Sequence, residues 1–254
     1  MHNGDKMVVG DDSPCAYTTS LLGINSFPNS VVNRKTQTDP SAESLEGVYQ
    51  KVMAEPVLAD VMMEAQWSNQ EHTVIRAKAV SRFAGDMTGN YRLAFVVTEN
   101  EVGPYAQSNY YANSSTAMGG FENMESSVSI LHQHVARYID AFNGTVQSTI
   151  VAPKYGEDYS FDTPVNLRNN IQNKDNIELI VLLMDASTSE IVNANRLAAA
   201  SIKEYSPALG ISVLPIQQTA ASDDVYSLSG QKQQSDSNLP AGVYIVGGKK
   251  VIIK

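Results

Sequence analysis

The chain reads as an α+β protein that is mainly β: a short mixed segment first, an antiparallel β-sandwich in the middle, and a small hairpin-rich β module at the end. Three observations carry that reading. Near Val57 the hydrophobic period changes from three-to-four to two. Beyond it, runs rich in aromatic and β-branched residues, such as Tyr91-Arg92-Leu93-Ala94-Phe95-Val96-Val97-Thr98, follow one another across polar turns with no helical pattern between them. Near the C-terminus, Gly247-Gly248 separates two short apolar runs, the signal of a two-residue hairpin.

The elements follow in order. Ser13-Pro14 reads as an N-cap with proline at the first helical position; Tyr17, Leu21 and Leu22 share a face, and Gly23 ends the turn. A turn through Phe27-Pro28 leads into Val31-Val32-Asn33-Arg34. Asp39-Pro40 opens a second helix whose Leu45, Val48, Tyr49 and Val52 recur at helical spacing until Pro56 stops it. Ile75, Ala77, Ala79 and Phe83 then alternate with Arg76, Lys78 and Arg82, as on a strand with one wet face. Further strands are expected at 128–140, 145–152, 177–185 and 190–194. Residues 105–127, rich in Asn, Ser, Gly and Tyr, are too long for a tight turn and read as a surface loop. After a linker at Tyr205-Ser206-Pro207, strands are expected at 211–216, 225–232, 242–246 and 249–253. The expected divisions are 1–55, 56–203 and 204–254, and no internal repeat is visible.

Composition removes several classes of function. The 254 residues carry a net charge of −9, which repels phosphate backbones and argues against nucleic-acid binding. Cys15 is the only cysteine, so an internal disulfide, a Cys-x-x-Cys pair and a cysteine zinc site are all impossible within this chain. No run of eighteen apolar residues exists to make a membrane-spanning helix. No catalytic triad, phosphate loop or metal quartet assembles from the motifs, and no cofactor is called for.

Three stretches resemble known families. His2-Asn3-Gly4-Asp5 through Phe27-Pro28-Asn29-Ser30-Val31-Val32-Asn33-Arg34 resembles the second half of a thioredoxin-like domain, which implies a structural role for Pro28 before a strand. Leu93-Ala94-Phe95-Val96-Val97-Thr98-Glu99-Asn100, His132-Gln133-His134-Val135-Ala136-Arg137 and Ile180-Val181-Leu182-Leu183-Met184-Asp185 resemble the 28-kDa outer-membrane-protein family of Bacteroidetes. The tail, from Val225-Tyr226-Ser227-Leu228 to Gly242-Val243-Tyr244-Ile245-Val246, is similar to C-terminal sorting modules of secreted Bacteroidetes proteins. These resemblances imply a non-catalytic cell-envelope, outer-membrane or extracellular protein that binds or adheres to a protein or glycan. The alternative they leave open is a thiol-disulfide oxidoreductase or chaperone whose Cys-x-x-Cys lies upstream. Because the thioredoxin-like part begins after that motif would have passed, we expect Met1 to be an internal start, with a signal peptide and more sequence before it.

The candidate site residues are few. Tyr105, Tyr110, Tyr111 and Phe121 stand amid Asn, Ser and Gly, a composition suited to adaptable contact surfaces, against the alternative that they fold back on the sandwich. Arg137 and Arg34 could anchor an anion, against the alternative of pairing with a carboxylate. His132 and His134, two apart on a presumed strand, would point the same way and could share a metal with Asp140 or Glu122 as third ligand, against the alternative of ordinary strand histidines. Cys15 near a helix start could be a reactive thiol, against the alternative of a small packed residue. Asp11-Asp12, Glu157-Asp158 and Asp223-Asp224 lack calcium-loop spacing and read as solvated turns.

Overall fold

The computed structural model describes residues 6, 7, 9, 19–25, 29–116, 119–206, 225–227, 232–233, 242–246 and 249–253. The chain divides into two compact units, Met1–Ser206 and Pro207–Lys254. Residues 19–21 are helical and Gly23 turns with φ at +62°. The start of that expected helix, with Cys15, lies outside the described residues, as do Pro28, Asp11-Asp12, Asp223-Asp224 and the strand expected at 211–216.

The first unit opens with an antiparallel pair, β1 (Ser30–Val32) and β2 (Thr36–Thr38), followed by helix α1 (Ala42–Ala54). Ser41 caps the helix and Glu55, held extended ahead of Pro56, ends it. Ten strands follow: β3 (Ala59–Trp67), β4 (Val74–Phe83), β5 (Asn90–Glu99), β6 (Val102–Ser108), β7 (Ser127–His132), β8 (Val135–Ile139), β9 (Ile150–Val151), β10 (Asp158–Asn166), β11 (Ile177–Asp185) and β12 (Ile191–Ala198). They build a three-stranded antiparallel sheet in the order β10-β4-β3 and a larger one in the order β12-β11-β5-β8, with β9 also on β5. The two sheets share one core, as a sandwich must.

That core follows from the two-residue period. Ala59, Val61, Met63, Ala65 and Trp67 of β3 and Ile75, Ala77, Ala79 and Phe83 of β4 all face inward. The larger sheet answers with Leu93, Phe95 and Val97 of β5 and Leu179, Val181 and Leu183 of β11, each fully buried. Phe95 stacks on Phe161 of β10 across the interior, with ring centroids 6.4 Å apart. On the outer face of the smaller sheet the registers Asp60↔Arg82↔Asp158 and Glu64↔Lys78↔Asp162 alternate sign across three strands. Arg82 grips Asp158 with two hydrogen bonds, of 2.7 and 2.9 Å, and holds its carboxyl below the usual carboxylate range.

Side chains close the seam between the sheets. Asn193 and Asn195, two apart on β12, point the same way and donate to the backbone carbonyls of Ala59 and Val61 on β3. The segment after β12 then completes the edge: Trp67 N–H donates to Lys203 O, and Lys203 N–H to Ala65 O, each at 2.9 Å. Replacing both asparagines by alanine leaves two carbonyls unmet. We expect a loss of about 1–2 kcal/mol for each in urea unfolding; an unchanged midpoint would mean that packing alone holds the seam.

Several strands depart from the sequence expectation. The run 128–140 is not one strand: it breaks at Gln133-His134, where His134 takes φ +53°, into β7 and β8. The run 145–152 is not one strand either: a 3-10 turn, Val146–Ser148, precedes the two-residue β9. The surface loop is shorter than 105–127, because β6 takes in its first four residues. Strand β10 was not expected at all; Asp158, Asp162 and Pro164 disguise the alternation of Tyr159, Phe161, Thr163 and Val165.

In the second unit, β13 (Val225–Ser227), β14 (Lys232–Gln233), β15 (Gly242–Val246) and β16 (Lys249–Ile253) form one antiparallel sheet in the order β14-β13-β15-β16. Val246 pairs with Lys249, leaving two residues for the connection, and Val225 and Tyr244 are buried.

Candidate binding cleft

Strands β6 and β7 pair only with each other. They continue β5 and β8 past the end of the larger sheet, since the pairing of β11 with β5 stops at Ile177↔Glu99. Both long strands kink at the same level, at Glu101 with φ +59° and at His134. Asn100 ties the kinks together by accepting from His134 N–H at 2.9 Å.

A buried ion pair anchors this ribbon. Glu99 at the end of β5 and Arg137 in β8 are each 1% exposed, and Arg137 Nε donates to Glu99 Oε2 at 2.7 Å. The other carboxylate oxygen accepts from the backbone N–H groups of Gln172 and Asn173 at 2.7 and 2.6 Å. Gln172 in turn reaches the ribbon, accepting from Gly103 N–H and donating to the Tyr105 hydroxyl. Gly103 sits at φ +117°, and a Cβ there would fall 2.7 Å from Tyr105 N, so the bend requires glycine. Arg137 is therefore spent on a carboxylate inside the fold and cannot touch a macromolecule at the surface.

Beyond the ribbon the chain makes a cap that its own polar groups hold in shape. Asn109, 7% exposed, is the clip: its Nδ2 donates to Phe121 O and Glu125 O, and its Oδ1 accepts from Tyr111 N–H. Asn113 N–H reaches Glu122 O at 3.0 Å, and Gly120 at φ +95° turns the chain into the 3-10 turn Phe121–Asn123. The result is a cleft of about 680 Å³ lined by Gln107, Tyr110, Tyr111, Phe121, Val128 and Ile130, among others. Tyr110 is 93% exposed and Tyr111 45%. Among the described residues, hydroxyl and amide groups are the polar side-chain groups of the lining.

Three of the four expected aromatics thus meet in one concavity. The fourth, Tyr105, folds back onto Met7, Val102 and Val135, with Lys6 Nζ 5.6 Å from its ring centroid. Sequence reasoning passed over Asn109, Gln107, Val128 and Ile130. An asparagine at a strand end, able to bond its own backbone two residues on, was the available signal for the clip.

The histidines do not lie on one strand. Strand β7 ends at His132, and His134 lies in the kink with Nδ1 3.2 Å from Glu178, so the alternation of a strand does not apply to them. Among the described residues no three His, Cys, Asp or Glu side chains gather as metal ligands. Arg34 stacks over Phe142, its guanidinium 3.9 Å from the ring centroid, and donates to the Phe142 carbonyl. Burial, helped by neighbouring Asp140, pushes the Tyr138 phenol up to about 12. Among the described residues no helix is long and apolar enough to cross a membrane.

Comparison with known proteins yields a likeness of fold. No protein-family model matches the chain, and no curated protein matches it in sequence. Among solved structures, HBP35 of Porphyromonas gingivalis is similar over 96% of this chain and 81% of its own, at 17% identity and a TM-score of 0.50. A domain of the outer membrane lipoprotein Omp28 from the same organism overlaps 58% of this chain and 98% of its own, at 13% identity and a TM-score of 0.33. The first likeness is one of architecture; the second is too slight to bear on the fold.

Proposed function

We propose that the chain is a non-catalytic protein of the cell envelope that captures a protein or glycan through the cleft on the β6–β7 ribbon. The observation that carries this reading is the cleft itself: three aromatic rings, two of them exposed, held in a hydrogen-bonded cap on a rigidly anchored hairpin. Such a site offers large apolar contact area at little ordering cost, with amides and hydroxyls to fix orientation. The envelope location rests on the sequence resemblances to the Bacteroidetes outer-membrane-protein family and to sorting modules. The amides and hydroxyls of the lining suit hydrogen bonding to a peptide or glycan. The test compares the full chain with the triple variant Tyr110→Ala, Tyr111→Ala, Phe121→Ala on printed arrays of glycans and peptides. Ligands of the parent should be lost at least about tenfold in the variant, with the unfolding temperature unchanged. Equal retention by both would overturn the reading.

A further inference from the structure

Around the sandwich and its ribbon, most of the longer sheet edges are defended among the described residues. An exposed edge presents unpaired N–H and C=O groups, and proteins blunt it with charge, proline, bulges or a covering segment. On β10 the edge carries Asp158, Asp162 and Pro164. On β12, Asn193 and Asn195 seal the seam to β3. Strand β8 is five residues long and its pairing with β5 is bulged. The outer side of β6 has a bulge after Val102, with Gln172 on Gly103 N–H. Among the described residues, strand β7 has none of these. Its Ser127-Val128-Ser129-Ile130-Leu131 is uncharged, free of proline and glycine, and makes no backbone hydrogen bond among the described residues except to β6.

We propose that β7 takes up an extended basic peptide by strand addition, and that the cleft receives the alternate side chains of that peptide; this rests on the cleft being the binding site. Val128 and Ile130, two apart on β7, line the cleft together with Tyr111 and Phe121. A strand added about 4.8 Å beyond β7 places every second side chain on that same face. Backbone pairing supplies affinity and the aromatic wall supplies selection. Charge decides the sign of the partner: between Val102 and Leu131 the chain carries Glu122 and Glu125 and no lysine or arginine. An anionic segment is repelled there and a lysine- or arginine-bearing one is attracted.

The full 254-residue chain, isotope-labelled, is titrated with a capped octapeptide of alternating lysine and valine. Three other probes accompany it: the same peptide N-methylated at alternate residues, a glutamate–valine counterpart, and cellohexaose. The lysine–valine peptide should slow amide exchange at Ser127–Leu131 and shift the Tyr111 and Phe121 resonances. N-methylation should weaken it about tenfold or more, because the lost backbone hydrogen bonds each cost several-fold. The glutamate peptide should bind several-fold more weakly. Equal binding of the N-methylated peptide, or no protection at Ser127–Leu131, overturns strand addition. Cellohexaose filling the cleft while no peptide binds also overturns it and leaves the cleft reading standing, whereas silence of Tyr110, Tyr111 and Phe121 toward every probe overturns both.

Discussion

Replacing Arg137 by methionine should cost about 3–5 kcal/mol of stability, the usual effect of stranding one member of a buried ion pair. Both partners are 1% exposed, so Glu99 cannot turn to water when the guanidinium is gone. It keeps two backbone N–H donors, from Gln172 and Asn173, which satisfy one carboxylate oxygen and leave the other bare. The loss would lower the unfolding temperature by roughly 10 °C or more. Adding Glu99→Gln should return much of the lost stability, because the double variant buries no charge while the amide oxygen still accepts from the same N–H groups. Urea unfolding of the four proteins gives the coupling energy directly. A loss under about 1 kcal/mol in Arg137→Met would mean that the two N–H groups alone hold the carboxylate. The same variant should weaken ligand capture, since the pair anchors the base of the ribbon through Gln172 and Gly103.

Phe95→Ala should cost a similar amount, about 3–5 kcal/mol, for a different reason. Phe95 is fully buried on β5, the strand flanked by β11 and β8, and stacks against Phe161 of the opposite sheet. Truncation leaves a void between two sheets whose hydrogen-bonded backbones cannot collapse into it. Val96, next along the chain, is half-buried on the other face. Val96→Thr should therefore change stability by less than about 1 kcal/mol. Equal losses in the two variants, read from denaturant midpoints, would contradict the inward assignment of Phe95.

The candidate site was legible in part. Tyr110, Tyr111 and Phe121 stood out because aromatic residues amid Asn, Ser and Gly are uncommon in a core and common in contact loops. Nothing local distinguished Tyr105 from them, yet it packs on Val102 and Val135, because β6 extends further than the turn-rich composition of its neighbours suggests. Arg137 lay in a recognisable motif, but its partner Glu99 is thirty-eight residues away in sequence, and pairing across strands is invisible to local spacing. The two histidines misled for a related reason: the alternation of side chains assumes an unbroken strand, and the kink at His134 breaks it.

By itself, the sequence determined the mainly β class, the strands whose alternation is clean, the helix that Pro56 stops, and the exclusion of a disulfide, a Cys-x-x-Cys pair or a cysteine zinc site within the chain. These depend on period, composition and residue counts, which are local properties. Only the tertiary structure decided which strands share a sheet, that Asn193 and Asn195 close the seam, that Glu99 and Arg137 pair, and that β7, among the described residues, pairs only with β6 beside an aromatic cleft. Those features depend on contacts between residues far apart in the chain, whose energies come from burial and from hydrogen bonds completed across elements. No window along the sequence contains both partners.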